Sequence, residues 1–505
     1  MSADVTTGPA DVTTAADLTA TAAETDGHAA AEATGDAVAV SEADGHAAGD
    51  AVTAVARPGE PGYDAATAVF NLAAPPRPAA AVVARTVEDV RAAIRLADAE
   101  GLSLRVHTTG HSAPAARPMR DALLIRTEMD GGVEVDPIRR VARIPAGTRW
   151  GVVAKAAAPY GLAVAHGSSP TVGVVGYLLG GGLSFYGRKV GLAANSVRAV
   201  ELVTADGELR RVSLGSDPDL FWALRGGGGG FGVVTAIEVK LFPAVQVVTG
   251  TTCWPAAHAR ELLRTWRRWT LDAPPEATTS VRVLNLPKIP DVPPMLSAGP
   301  ILCVDGAVLA ETGDDVAAAR RYAEELLGPL RAVAEPVLDT WQLTEPVDLL
   351  DTHMDPSDPV AVIGDHMLLG DLGDEGIDAL LRVVGEGSGS PLISAGLRQL
   401  GGAYARPHPQ GGALDHLDAP YAYSGGGVPD LTGTAEAITR HIATVRESLA
   451  PWDTGWTTPT FVESHAQPQR HLTDGRIAAA DLVRHRVDPA GRFRDDIMPG
   501  ATKLG

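Results

Sequence analysis

The chain has 505 residues, 45% of them hydrophobic, and a formal net charge of −20. That length suffices for two to four domains and a sizeable core. The acidic balance excludes a nucleic-acid surface, which needs a basic patch, and the absence of any 18-residue apolar run excludes a transmembrane helix. With only two cysteines, Cys253 and Cys303, neither a disulfide framework nor a multi-cysteine metal site follows.

Residues 1–60 form a class of their own. Up to Ala56 there are ten acidic residues and no Lys or Arg, with short repeats such as Asp4-Val5-Thr6-Thr7 and Asp11-Val12-Thr13-Thr14. Such a composition cannot bury enough apolar area to offset the entropy of ordering, which predicts a disordered acidic tail. His28 and His46 read as solvated repeat positions rather than metal ligands. No basic and apolar leader pattern is visible, which argues against a secretory signal and predicts a cytoplasmic protein.

The folded part is expected from about Ala65. Thr86, with Asp89 three residues on, reads as a capping box opening a helix that Gly101 ends. Leu104 and Val106 begin a strand running into His111. Leu123 to Arg126 and the alternating Val133 to Ala146 follow as strands, then a helix from Trp150 to Ala158. Strands are expected at Val197 to Ala205, Leu209 to Val212 and Val233 to Leu241. From about Val245 the texture changes. Strands at Thr251 to Cys253, Val281 to Leu286, Ile301 to Val308 and Tyr421 to Val428, with helices at Asp314 to Leu327, Asp378 to Val384 and Ala435 to Leu449, predict an antiparallel sheet with helices on one face. A last helix from Arg476 stops at an Asp488-Pro489 turn and Gly491.

Three segments carry chemistry. Thr109-Gly110-His111-Ser112 is followed by Gly167-Ser168-Ser169-Pro170-Thr171-Val172-Gly173-Val174-Val175-Gly176-Tyr177-Leu178-Leu179-Gly180-Gly181-Gly182, and later by Arg225 to Val234 with five consecutive glycines. Glycine lets backbone N–H groups approach a ligand, and successive free N–H groups form concave sites for pyrophosphate. Three such segments suggest a large dinucleotide laid across the backbone. The apolar flanks of Gly180 to Gly182 argue for a cradle rather than a linker. The pattern is neither a Rossmann fingerprint, nor a P-loop, nor a G-x-S-x-G nucleophile elbow.

These segments, with Gly191-Leu192, Val197 to Gly207 and Asp488-Pro489 before Phe493-Arg494, resemble the berberine-bridge-enzyme-like branch of the FAD-linked oxidases, of the vanillyl-alcohol-oxidase fold. The resemblance spans roughly Pro75 to Pro243 and returns at the C-terminus. It implies an α+β protein: an FAD-binding domain in two parts, residues 65–245 and 436–505, around a substrate domain at 246–435 with an antiparallel sheet covered by helices. It also implies FAD attached through its 8α-methyl carbon to His111. The cofactor contacts implied are Thr109, Gly110, His111, Ser112, Ser169, Thr171, Val172, Val174, Gly176, Gly180, Gly181, Gly182 and Val234. Ser169 stands where many members carry a second flavin-binding Cys, so attachment through His111 only is expected. Val172 matches the oxygen-permissive pattern, which favours an oxidase using dioxygen over a dehydrogenase.

The catalytic region departs from the family. Relatives often carry Tyr-x-Asn-Phe, and the corresponding stretch is Phe461-Val462-Glu463-Ser464. Glu463 is a candidate base if burial raises its pKa; Tyr423 and Tyr421 are further candidates. Gln399, Tyr177 and Phe461 are candidate substrate contacts. No metal site is expected. The expected activity is oxidation of a small molecule, a secondary-metabolite alcohol or related C–H substrate, with hydride passing to FAD. The alternative is an FAD-retaining protein that performs a redox-neutral cyclisation or elimination.

Overall fold

The computed structural model describes residues 53–503 apart from residue 291. Most of the expected acidic tail lies outside the described residues. Its last part does not match the expectation: Ala56 pairs with Ala81 through two 2.8 Å backbone hydrogen bonds, so ordered structure precedes Ala65. Among the described residues, no helix is long and apolar enough to cross a membrane.

The first layer is a three-stranded parallel sheet, Ala80–Ala84, Ala122–Thr127 and Ser103–His107 in that spatial order. Helix Val87–Glu100 packs on it through Val90, Ala93, Ile94 and Ala97. Its capping box forms as expected, with Thr86 and Asp89 each bonding the other's backbone N–H, and Gly101 closes it at φ 70°. Phe493 enters the same core, and Leu104 donates its N–H to the Arg492 carbonyl at 2.8 Å, so the Asp488–Phe493 turn does return to this layer.

The second layer is a five-stranded antiparallel sheet built from Glu134–Asp136, Val141–Pro145, Val233–Lys240, Val197–Val203 and Leu209–Ser213. The alternating run from Val133 to Ala146 is two strands of a hairpin rather than one. Its turn holds Arg140 at φ 53°, a bend that alternation alone does not reveal.

The third layer is an eight-stranded sheet. Its order runs from Leu338–Asp339 through Gln246–Pro255, Ile301–Ala310, Ala277–Leu284, Ser394–Gln399 and Tyr421–Gly427 to Ile363–Leu369, and the eighth strand, Gln342–Thr344, also pairs with Gln246–Pro255, all antiparallel. Helices Ala259–Leu271, Val316–Val333, Gly373–Val384 and Ala435–Leu449 cover one face, as an α+β fold with a helix-covered antiparallel sheet requires. Helix Ala435–Leu449 buries Ile438, Val445 and Leu449 on this sheet, as the element pattern expects, although the domain boundary implied at 435/436 would set it with the C-terminal return. The return itself is helix Asp474–Val487, whose Ala480, Val483 and Val487 join the five-stranded sheet's core.

Two features fasten the eight-stranded sheet. Cys253 and Cys303 form a disulfide, a pairing that the cysteine count alone did not imply. They are 50 residues apart in sequence but directly opposite in the strand register, with Cα atoms 4.1 Å apart. Arg188, just after the triple-glycine turn, reaches across to the sheet. Its guanidinium donates to the carbonyls of Ala277 at 2.9 Å, Leu400 at 2.5 Å and Ala273 at 2.8 Å.

Candidate active site

The strand Ser103–His107 delivers the chain to a turn at Gly110, φ 70°. A Cβ there would lie 2.4 Å from Val69 Cγ1, so only glycine allows the turn. His111 follows, stacked on Phe70. Its Nε2 lies 3.2 Å from Thr171 Oγ1, which in turn lies 2.9 Å from Ser169 Oγ. Thr109 Oγ1 accepts the Gly173 N–H at 3.3 Å. Two segments some sixty residues apart in sequence thus meet, as the motif reading expects. Burial lowers the His111 pKa to about 4, so the imidazole is neutral at pH 7.

These residues line a cavity of about 930 Å³, near the upper end of the roughly 300–1,000 Å³ usual for ligand sites. Thr109, Gly110, His111, Ser112, Ser169, Val172, Gly176, Gly180 and Val234 all line it, whereas Thr171 acts through its contact to His111. The residues present fit FAD at Gly176, where a Cβ would meet nothing within 4 Å, so its backbone is open toward a ligand. Gly228, Gly229 and Gly230, also on the wall, hold φ of 85°, 84° and 82°, and the space their missing Cβ atoms leave is filled by Ala501, Asp496 and Ile497.

Three expected cofactor contacts do not reach the cavity. Val174 is fully buried in the core of the five-stranded sheet, where its place on the short helix Val174–Leu179 points it. Gly181 and Gly182 form the tight turn behind the wall, at φ 99° and 74°. A Cβ on Gly182 would lie 2.4 Å from Tyr177 Cε1, so this glycine makes room for the tyrosine rather than for a ligand.

The other wall is the open face of the eight-stranded sheet, and strand parity decides what it shows. Tyr421 and Tyr423 point into the helix layer. Tyr421 shares a 2.7 Å hydrogen bond with Thr270, and Tyr423 is fully buried among apolar residues. Burial raises both phenol pKa values, and neither ring lines the cavity. Gln399 has the same parity: it accepts from Thr279 at 3.1 Å and donates to the Thr270 carbonyl at 3.2 Å. All three expected roles are therefore corrected to structural ones. Their neighbours Arg398, Ala422 and Ser424 face the cavity, as does His366 from the next strand. The sequence reading passed over them, although alternation along each strand carries the signal.

Tyr177, Phe461 and Glu463 do line the cavity. Tyr177 is 5% exposed and its hydroxyl has no hydrogen-bond partner. Phe461 stacks on His366 at 5.2 Å. Burial, with a smaller push from Asp365, raises the Glu463 pKa to about 7. His366 bonds Thr457 Oγ1 through Nδ1 at 2.8 Å and leaves Nε2 without a partner. Its pKa falls to about 3 through burial and the charges of Arg446 and Arg398. A further group missed in the sequence lies near His111: Asp355, which accepts from Ser168 at 2.6 Å and lies 2.8 Å from His353 Nδ1. Burial raises its pKa, but His353 and Ser168 outweigh that and hold it well below the usual carboxylate range.

Residues 76–213 match the FAD binding domain family. A FAD-dependent monooxygenase of Fusarium proliferatum is 39% identical over 175 residues, 34% of this chain and 34% of that protein. (R)-6-hydroxynicotine oxidase of Paenarthrobacter nicotinovorans is 34% identical over 177 residues, 34% of this chain and 39% of that protein. These alignments span little more than a third of the relatives' length. The structure of Physcomitrella patens BBE-like 1 superposes with a TM-score of 0.74 at 20% identity, covering 90% of this chain and 97% of that one. Residues 76–213 are thus an FAD binding domain, and the described chain has the fold of the Physcomitrella patens BBE-like 1 structure.

Proposed function

We propose that the protein is an FAD-dependent oxidase of a small organic molecule, an alcohol or related C–H substrate of specialised metabolism. The observation that carries this reading is the single cavity, which runs from the glycine-rich wall around His111 to the polar face of the eight-stranded sheet. FAD, when bound, supplies a two-electron acceptor that takes hydride from a substrate carbon and passes the electrons to dioxygen, giving hydrogen peroxide.

The chain's residues would divide the remaining work. Gly176 leaves backbone open to the cofactor, while Gly228 to Gly230 let the C-terminal segment at Asp496, Ile497 and Ala501 pack against the wall. The neutral imidazole of His111 is nucleophilic toward the 8α carbon of the flavin. Ser169 occupies the position of a second attachment, and both cysteines are joined in the sheet, which supports attachment through His111 only. Glu463, with a pKa near neutrality, accepts the hydroxyl proton as the C–H bond delivers hydride. Phe461 and Leu183 supply apolar wall.

The first experiment is acid precipitation of the purified yellow protein. Colour retained in the pellet, and released in His111→Ala, is the expected result; a colourless protein would sink the flavin reading. The redox-neutral alternative draws on one observation: the tyrosines of the sheet face the helices, leaving no phenol on its cavity side. Anaerobic mixing with substrate separates the two readings, because only an oxidase bleaches its flavin.

A further inference from the structure

We infer that the cavity region bounded by Arg398, Tyr177 and His366 is a carboxylate-recognition subsite, so that the substrate is an organic acid. The inference rests on the proposal that substrate enters this cavity, and it adds the substrate's class.

Arg398 stands apart from the other buried arginines. Arg282 is paired with Asp305, and Arg484 with Asp481. Arg188 and Arg225 each hold three backbone carbonyls. Arg398 is 9% exposed and donates to one carbonyl, that of Leu183 at 3.3 Å. Its guanidinium lies over the Phe185 ring at 4.3 Å, and among the described residues it has no carboxylate within ion-pair distance. A guanidinium has five N–H donors in a planar fork that matches a carboxylate with two parallel hydrogen bonds. A buried charge without a counterion is costly, and such charges are as a rule paired. Here the missing partner has an open route, because Arg398 lines the cavity.

Two more residues that line the cavity carry a polar atom without a partner, the Tyr177 hydroxyl and His366 Nε2, both atoms occluded from solvent. Both feel the Arg398 charge, which opposes the burial-driven rise of the tyrosine's pKa and lowers that of the histidine. The arginine fork is the donor pair for a carboxylate, and the phenol and the imidazole, both within reach of its charge, can turn toward a ligand that it holds. The three cavity carboxylates are engaged elsewhere or partly protonated: Asp355 is held by Ser168 and His353, Asp496 accepts the Val106 N–H and lies 3.8 Å from Arg105, and Glu463, with a pKa of about 7, is half protonated at pH 7.

The test titrates the flavin-loaded full chain with benzoate and with benzamide, an uncharged molecule of the same shape. Calorimetry and the flavin absorbance change are both followed. Benzoate should bind about tenfold more tightly or better, the ratio expected for hydrogen bonds to a charged group. Arg398→Gln should abolish that preference at unchanged flavin content, Arg398→Lys should keep part of it, and Tyr177→Phe should weaken benzoate while sparing benzamide. Equal binding of the two probes, no binding of either at millimolar concentration, or a preference that survives in Arg398→Gln would overturn the inference. If Arg398→Gln does not accumulate, Arg398→Lys and Tyr177→Phe decide, and benzoate binding unchanged in both overturns it. A colourless protein speaks against the flavin reading, whereas a yellow one without benzoate preference speaks only against this subsite.

Discussion

The imidazole of His111 lies face to face on the phenyl ring of Phe70, with centroids 3.9 Å apart and planes 11° from parallel. Phe70 is itself fixed by its N–H to the Thr109 carbonyl at 2.8 Å, one residue before the turn that presents the histidine. A ring clamped on one face and hydrogen-bonded at Nε2 is held in one orientation before any cofactor arrives. In His111→Ala, added FAD should raise the melting temperature, because a dissociable ligand stabilises by mass action, about 2.7 kcal/mol at a hundredfold excess over Kd. On the proposed attachment through His111, the parent protein should show no such dependence in a thermal shift assay.

Glu463→Gln should lower kcat by roughly 10²–10⁴-fold, the usual contribution of a general base. The parent rate should rise as pH increases through about 7, where Glu463 loses its proton, and the variant should lose that limb. Stability should run the opposite way. The folded pKa lies above the ordinary 4.5, so the folded state holds the proton more tightly than the unfolded one. This contribution is fully present below about pH 4.5 and is lost as pH rises through about 7. Melting curves of parent and variant across that window measure the difference.

Arg188→Met should destabilise the fold strongly. Three backbone carbonyls, those of Ala277, Leu400 and Ala273, would lose a charged donor worth about 1.5–3 kcal/mol each. A denaturant midpoint shift of several kcal/mol, with earlier exposure of the eight-stranded sheet to proteolysis, is the expected outcome. A shift below about 1 kcal/mol would show that the sheet is held by packing alone.

Gly182→Ala should cost roughly 1–3 kcal/mol from overpacking against Tyr177 and Ala193, besides the strain of a side chain at φ 74°. Since the turn shapes the wall that Tyr177 completes, flavin content should fall with stability. Retention of both would contradict the role assigned to this turn.

Joining Cys253 to Cys303 closes a loop 50 residues long, for which about 2–4 kcal/mol of stabilisation is typical. Reduction should lower the melting temperature, and a Cys253→Ala, Cys303→Ala variant should match the reduced protein. Disulfides persist in oxidising compartments. Mass spectrometry of the protein from its own cells, with thiols blocked at lysis, therefore tests the cytoplasmic expectation as well as the bond.

Local rules carried the sequence reading furthest. Thr86, Asp89 and Gly101 mark both ends of a helix because capping and a left-handed stop are decided within a few residues. The meeting of His111 with the Ser169–Thr171 turn was legible through the family resemblance, not through spacing. What stayed hidden depends on strand phase and register. Tyr421, Tyr423 and Gln399 were placed on strands correctly, yet their side of the sheet follows from which face the helices cover. The Cys253–Cys303 pair depends on the register of two long strands, which nothing within either segment specifies. Val174 was misplaced for a related reason: a six-residue helix turns neighbouring side chains toward opposite environments.

The strict alternation of the strands Ser394–Gln399 and Tyr421–Gly427 separates two kinds of heritable change. Leu397, Tyr421 and Tyr423 hold the helix layer in place, while Arg398, Ala422 and Ser424 point to the opposite face and line the cavity, Ala422 also packing with Leu183 and Leu368. Substitutions at the second set bear on what the pocket accepts and leave the helix-side packing of the sheet untouched. A laboratory library confined to those three positions and His366 would therefore sample new substrate preferences from an almost constant scaffold.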